Sequence, residues 1–90
     1  MTKQYDKELT DILTSIKDSK QMAEFLDDLL TPTEKEELPK RLQIVKMLLQ
    51  GTPQRETSEK LGVGIATVTR GARELKKKKS AFRKILESLK

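Results

Sequence analysis

The stretch QRETSEKLGVGIATVTR, Gln54 to Arg70, decides the fold of this 90-residue chain. Gly62 supplies a residue that tolerates positive φ at a sharp turn, and Ser58 supplies a small side chain where a second helix can cross the first. Three apolar side chains fix the crossing: Leu61, Val63 and Val68. Two short helices joined in this way are typical of a helix-turn-helix, whose second helix enters the major groove of DNA.

The second helix of this motif is predicted from Ile65 to Leu75, with one buried and one exposed face. The buried stripe consists of Val68, Ala72 and Leu75. The exposed face is small, hydroxylated and basic, and consists of Ala66, Thr67, Thr69, Arg70 and Arg73. Such a face can approach base edges closely, with threonine donating or accepting and arginine serving guanine or phosphate. Arg55, at the start of the preceding helix, could reach the same groove.

Apolar residues recur at helical spacing along the rest of the chain, without strand alternation or a hairpin dipeptide. The spacing predicts a first helix over about residues 3–17 and a second over about residues 22–30. A third begins at Thr31-Pro32-Thr33-Glu34, which has the pattern of a capping box, and ends before Gly51. Pro39 lies inside this third helix and is expected to kink or split it.

The remaining helix boundaries are predicted from similar signals. Thr52-Pro53 is expected to cap and start the fourth helix, and Ser80 is expected to cap the sixth. The run Lys76 to Lys79 precedes the sixth helix. It is as consistent with a solvated linker as with a segment that contacts phosphate. The sequence therefore predicts an all-α chain of six helices forming a single domain over residues 1–90.

Composition limits the classes of function. The absence of His and Cys removes the commonest general base, thiol nucleophiles, disulfides and Cys-based zinc sites, so an enzyme is not expected. Residues 1–50 carry 8 basic and 10 acidic side chains, whereas residues 51–90 carry 11 basic and 4 acidic ones. This concentration of positive charge predicts nucleic acid as the partner of the C-terminal half. With no membrane span or signal peptide in the sequence, a cytoplasmic location is expected.

From Leu30 onward the sequence resembles the tryptophan repressor family. The resemblance is clearest in LTPTEKEELPKRLQIVKMLLQG, residues 30–51, and QRETSEKLGVGIATVTRGARELK, residues 54–76, and the block GIATVTRG is its most specific part. It implies a six-helix intertwined homodimer with a helix-turn-helix. Residues 1–51 and 80–90 would then supply dimerisation helices, and residues 53–76 the DNA-binding motif.

The resemblance also implies the residues of a ligand site. It implies no cofactor apart from a corepressor in that site. L-tryptophan is expected as corepressor, its indole held between Arg41 and Arg70, one of which pairs with its carboxylate. The rest of that pocket looks like Leu30, Thr31, Ile44 and Gly71. The implied DNA contacts are Arg55 for a base, Ile65, Ala66 and Thr69 for the groove, and Thr67 and Lys76 for phosphate.

This chain departs from the family pattern near the ligand. Glu74 stands where the family has a serine close to the ligand's amino group. Glu74 could form an i, i+4 ion pair with Arg70 and so compete with the ligand's carboxylate, or it could receive the ligand's ammonium group. Pro39 also replaces a glycine of the family, and Ser58 replaces a phosphate-contacting lysine.

Taken together, the sequence predicts a sequence-specific DNA-binding transcriptional repressor. It would bind double-stranded, pseudo-palindromic operator DNA as a homodimer, under the control of an aromatic amino acid and without contact to a membrane. Two alternatives stay open at this point. In one, the same DNA-binding module acts constitutively or with another ligand; in the other, the chain is a helical protein–protein adaptor whose basic half docks on an acidic partner.

Overall fold

Six α-helices follow one another along residues 3–89, the part of the chain that the computed structural model describes, and this part contains no strand. The helices are α1 Lys3–Ser15, α2 Ser19–Leu29, α3 Pro32–Leu49, α4 Gln54–Leu61, α5 Ile65–Leu75 and α6 Ala81–Ser88. The predicted all-α class is confirmed. The chain divides into two compact units, with the boundary after Lys35 and thus inside α3. The single domain over residues 1–90 stays a prediction.

The first unit consists of α1, α2 and the first turn of α3. Asp18 caps α2, because its side-chain carboxylate accepts the backbone N–H of Gln21 at 3.0 Å. None of the residues of α1 is buried, and the apolar side chains Tyr5, Leu9 and Ile12 are exposed. Helix α1 therefore leaves apolar side chains exposed.

The predicted capping box at the start of α3 is confirmed. The Thr31 backbone N–H donates to Glu34 Oε1 at 2.9 Å, and the Glu34 backbone N–H donates to Thr31 Oγ1 at 3.2 Å. These reciprocal bonds satisfy two backbone donors that a helix start would otherwise leave unpaired. The hydrogen bonds from Thr31, that of its backbone first, hold the pKa of Glu34 below its ordinary value.

The helix boundaries around α3 and α4 test two sequence predictions. Of the two effects expected of Pro39, a split of the third helix does not occur, since α3 continues through it to Leu49, and a kink stays a prediction. The prediction that Thr52 caps the fourth helix is wrong, because the N-cap of α4 is Pro53 in an extended conformation. The Thr52 backbone N–H donates to Met47 O at 3.0 Å, so Thr52 completes the end of α3 instead.

The second unit begins at Glu36 and holds the buried core of the molecule. Its buried apolar side chains are Ile44, Val45, Val68 and Leu75. Helix α5, which supplies two of them, contacts both α4 and α6. The predicted Ser80 cap of α6 is confirmed, because Ser80 Oγ accepts the Arg83 backbone N–H at 3.3 Å. The Arg83 side chain also donates to Leu75 O at 3.2 Å and so ties α6 to the end of α5.

Within residues 3–89, no helix combines the length and the apolar character that crossing a lipid bilayer requires.

Candidate nucleic-acid interface and ligand cavity

The turn between α4 and α5 is built around Gly62. Gly62 has φ 63° and ψ 38°, in the left-handed region where a side chain is strained, as the sequence predicts. Ser58 O accepts the backbone N–H of Gly62 and, at 3.1 Å, that of Val63, which closes α4 in the pattern of a Schellman motif. The Ser58 hydroxyl donates to Val63 O. Ser58 therefore holds the turn by hydrogen bonds, a role that its small size alone does not reveal.

The two predicted faces of α5 are confirmed. Val68 and Leu75 are buried, with Val68 0% exposed, and Ala72 is half-buried. The five residues predicted for the outward face are all exposed: Ala66, Thr67, Thr69, Arg70 and Arg73. Helix α5 is thus anchored by one stripe and presents a small, hydroxylated and basic surface on the other.

All six residues predicted to contact DNA are exposed and belong to the second unit. Arg55 lies in the first turn of α4, Lys76 directly follows α5, and the other four lie on α5: Ile65, Ala66, Thr67 and Thr69. Helices α4 and α5 are in contact, so the residues predicted to contact DNA lie on, or directly after, two neighbouring helices. Their contacts with DNA stay predictions.

Thr69 also joins the two helices of the motif. Its hydroxyl oxygen lies 2.9 Å from Ile65 O and 3.0 Å from Gln54 Oε1 on α4. A hydroxyl has one hydrogen, so the donor is engaged within the protein while the oxygen keeps acceptor capacity. Thr69 is therefore better suited to accept from a base amino group than to donate to a base. Nothing in the local sequence indicates the contact of Thr69 with Gln54.

A cavity of about 460 Å³ lies beside α5 in the second unit. Of the seven residues predicted to bind the ligand, five line it: Arg41, Ile44, Arg70, Gly71 and Glu74. Leu30 and Thr31, the other two, belong to the first unit, and their part in ligand binding stays a prediction. The structure thus brings together both arginines, the glycine and the carboxylate from two helices that are far apart in sequence.

Sequence reasoning missed two apolar residues of this cavity, Val45 and Phe82. Val45 could have been found, because it lies four residues after Arg41 and thus on the same side of α3. Phe82 comes from α6, and nothing in its local sequence indicates a place beside α3 and α5. Ala66 and Thr67, predicted only as DNA contacts, also line the cavity, so ligand and DNA sites share part of one helix.

Gly71 allows α5 to approach α3 closely. A Cβ atom built on Gly71 would lie 3.0 Å from Ile44 Cγ2 and within 4.0 Å of side-chain atoms of Leu48 and Val45. A larger residue at this position would push the two helices apart or displace Ile44. The glycine therefore helps to set the distance between Arg41 on α3 and Arg70 on α5.

The charges of the cavity are two guanidinium groups, on Arg41 and Arg70, and one carboxylate, on Glu74. Among the ion pairs of residues 3–89, Glu74 Oε2 is paired with Lys77 Nζ at 2.6 Å, rather than with Arg70. The i, i+4 ion pair considered for Glu74 and Arg70 is not formed among the described residues, and control by another ligand or by none stays an alternative prediction. The hydrogen bond from Lys77 holds the pKa of Glu74 below its ordinary value, and the charges of Lys77, Arg70 and Arg73 act in the same direction.

Two glycines of the turn, Gly62 and Gly64, allow a test of whether the positive φ of Gly62 is required for stability. Gly62→Ala is expected to destabilise the protein by about 1 kcal/mol, because alanine is strained at a positive φ. Gly64→Ala is the control, since Gly64 has φ −67° and a Cβ there would meet no atom within 4 Å. It should cost only about a few tenths of a kcal/mol, because alanine is unstrained at this φ and loses only the preference of an N-cap for glycine. Urea unfolding at one protein concentration measures both, and equal losses would contradict the role given to Gly62.

Comparison with known proteins gives consistent matches. Residues 4–90 match the family described as Trp repressor protein. The chain is 43% identical over 84 residues to the Trp operon repressor homolog of Vibrio parahaemolyticus serotype O3:K6 (strain RIMD 2210633), covering 92% of this chain and 82% of that protein. It is 42% identical over 89 residues to the Trp operon repressor homolog of Vibrio vulnificus (strain YJ016), covering 93% and 87%.

Proposed function

Because the chain belongs to the Trp repressor protein family, whose members are DNA-binding transcriptional repressors and not enzymes, we propose that L-tryptophan in the α5 cavity controls its binding to operator DNA. The observation that carries this proposal is that α5 both lines the cavity and carries the residues predicted to contact DNA. Ala66, Thr67 and Arg70 line the cavity, while Ile65 and Thr69 on the same helix are exposed. Family membership favours this function over the helical adaptor.

The cavity suits an aromatic amino acid in size and chemistry. Its volume of about 460 Å³ falls within the range of small-molecule sites. The guanidinium groups of Arg41 and Arg70 can stack on an indole by cation–π attraction, and a guanidinium can also bind a carboxylate through two parallel hydrogen bonds. Ile44, Val45 and Phe82 supply the apolar wall that an indole requires.

For DNA, the six exposed residues predicted to contact it have different proposed roles. Arg55 contacts a base, Thr67 and Lys76 contact phosphates, and three residues of α5 lie against the groove: Ile65, Ala66 and Thr69. Neither Pro53 nor Gly64 has a side-chain acceptor to cap the helix that follows, so the first amides of α4 and α5 can serve phosphate oxygens. Since the target is chromosomal DNA, the proposed location is the cytoplasm.

The proposed assembly is a homodimer formed through residues 1–51 and 80–90, with residues 53–76 reading one half-site each. The exposed apolar side chains support this arrangement, since Tyr5 on α1 is 62% exposed and Leu89 after α6 is 76% exposed. Within the second unit, a further apolar groove of about 390 Å³ is lined in part by Leu42, Leu49 and Leu86. Exposed apolar surfaces of this kind mark sites of interaction, and in the proposed dimer the partner subunit covers them. A two-fold dimer requires a pseudo-palindromic operator.

Isothermal titration of the purified chain with L-tryptophan tests ligand control. The expected result is saturable heat at one ligand per subunit, since a site of micromolar affinity is within reach of the method. A chain that gives no heat with tryptophan but still shifts DNA would contradict the proposed corepressor and favour a constitutive repressor or another ligand.

Two substitutions separate sequence reading from phosphate contact. Thr69→Ala is expected to reduce discrimination between operator and unrelated DNA, by about 1 kcal/mol or more, because it removes a groove-facing acceptor. Lys76→Ala should weaken binding to all DNA to a similar extent and lower the salt dependence. Gel shifts over a range of salt concentrations measure both effects, and Thr69→Ser, which keeps the hydroxyl, is the control. Uniform losses from both alanine variants on every DNA would contradict this orientation of α5.

A further inference from the structure

The cavity holds one group that the binding of an indole and a carboxylate does not use. Glu74 lines it together with Arg41 and Arg70, and its side chain is 42% exposed. Glu74 Oε2 is engaged by Lys77 Nζ at 2.6 Å, and Lys77 is a largely exposed residue just beyond the end of α5. The Glu74 carboxylate is therefore already paired with an ammonium group, that of Lys77, whose side chain is exposed to solvent.

On this basis we propose that Glu74 makes the cavity selective for ligands that carry an ammonium group next to their carboxylate, and that Lys77 competes with the ligand for it. The inference rests on the proposed function, since it assumes that an aromatic amino acid occupies this cavity. It goes further by naming the group that separates amino acids from aromatic acids without an amino group.

The charges support this selectivity. Two guanidinium groups alone would attract any aromatic carboxylate, whether or not it carries an amino group. A carboxylate one helical turn after Arg70 adds a site of opposite sign, so the cavity matches a zwitterion. For a ligand without an ammonium group, the same Glu74 repels the ligand's carboxylate and weakens binding.

The pairing with Lys77 gives the Glu74 carboxylate a partner that a ligand's ammonium group can replace. An exposed ion pair between residues three apart contributes little free energy, so a ligand ammonium can displace or share it at small cost. A ligand that takes over Glu74 leaves Lys77 without its carboxylate partner, next to Lys76, a proposed phosphate contact. Binding of the amino group would thus raise the positive charge available at the end of α5.

The test compares L-tryptophan with indole-3-propionate, which has the same indole and carboxylate but hydrogen in place of the ammonium group. Isothermal titration of the full chain measures both affinities. In the unaltered protein tryptophan should bind more tightly, and Glu74→Gln should reduce the ratio of the two affinities by about tenfold. The reduction should come from weaker binding of tryptophan, with indole-3-propionate unchanged or tighter.

Lys77→Gln should have the opposite effect. Removing the competing cation is expected to tighten tryptophan binding by about twofold to fivefold, the range of a released exposed ion pair. Glu56→Gln is the matched control for Glu74, because Glu56 forms an exposed ion pair with Lys60 on α4 and lies outside the cavity lining. Lys78→Gln is the control for Lys77, and neither control should change the ratio.

The outcomes separate this inference from the proposed function. If both ligands bind and Glu74→Gln leaves their ratio unchanged, Glu74 does not select for the ammonium group and the inference is overturned while the cavity stays the ligand site. If the unaltered protein binds neither ligand, the proposed function fails and the inference falls with it.

Discussion

Val68→Asp is expected to unfold the second unit under conditions in which the unaltered protein is folded. Val68 is 0% exposed and one of only a few fully buried side chains among the described residues. A carboxylate buried there without a partner should destabilise the unit by more than about 3 kcal/mol. That is a large part of the total stability of a small domain. Because Val68 anchors the exposed face of α5, DNA binding and ligand binding should be lost together.

Circular dichroism during urea unfolding measures this loss, at one protein concentration because the stability of a dimer depends on it. Arg73→Asp is the control, since it places the same charge on an exposed position of the same helix and should cost less than about 1 kcal/mol. Val68→Ala should lie between the two, through loss of apolar contact alone. If Val68→Asp unfolds at the same urea concentration as Arg73→Asp, the core position of Val68 is refuted.

Arg70→Ala is expected to weaken the binding of L-tryptophan by about a hundredfold. Its guanidinium group is placed in the cavity by α5 and is proposed to contact both the indole face and the carboxylate. Loss of a charge-assisted hydrogen bond together with a cation–π contact corresponds to about 3 kcal/mol, which is roughly two orders of magnitude in affinity. Since Arg70 is exposed, the free energy of unfolding should change little.

Arg73→Ala is the matched control for this prediction, because Arg73 is exposed on the same helix and is not part of the cavity lining. Arg70→Lys keeps the charge but loses the planar fork, and should bind with intermediate affinity. Titration calorimetry distinguishes these cases. Equal affinities for Arg70→Ala and Arg73→Ala would mean that the ligand is not held by Arg70.

The features that the sequence predicts correctly depend on local chemistry. The capping box of Thr31 and Glu34 and the left-handed turn at Gly62 both follow from residue types at fixed short spacing, and both are present. The two faces of α5 follow from helical periodicity in the same way. The error at Thr52 is of the same local kind: a threonine before a proline has the pattern of a cap, but its amide closes the preceding helix.

The features that sequence reasoning missed depend on contacts between helices. Phe82 reaches the cavity from α6, and Gln54 meets Thr69 across fifteen residues of chain. The partner of Glu74 was missed for another reason. Helical spacing allows a carboxylate to pair at either i−4 or i+3, and only the structure shows that Lys77 rather than Arg70 is the partner.

Binding of operator DNA with and without L-tryptophan tests the central claim most directly. Fluorescence anisotropy on a DNA fragment selected by the chain from a genomic pool, at fixed salt, gives both dissociation constants. Saturating tryptophan is expected to lower the dissociation constant for DNA by about tenfold or more, and DNA is expected to tighten tryptophan binding by the same factor. Equal dissociation constants with and without tryptophan, on a fragment that is bound specifically, would contradict it.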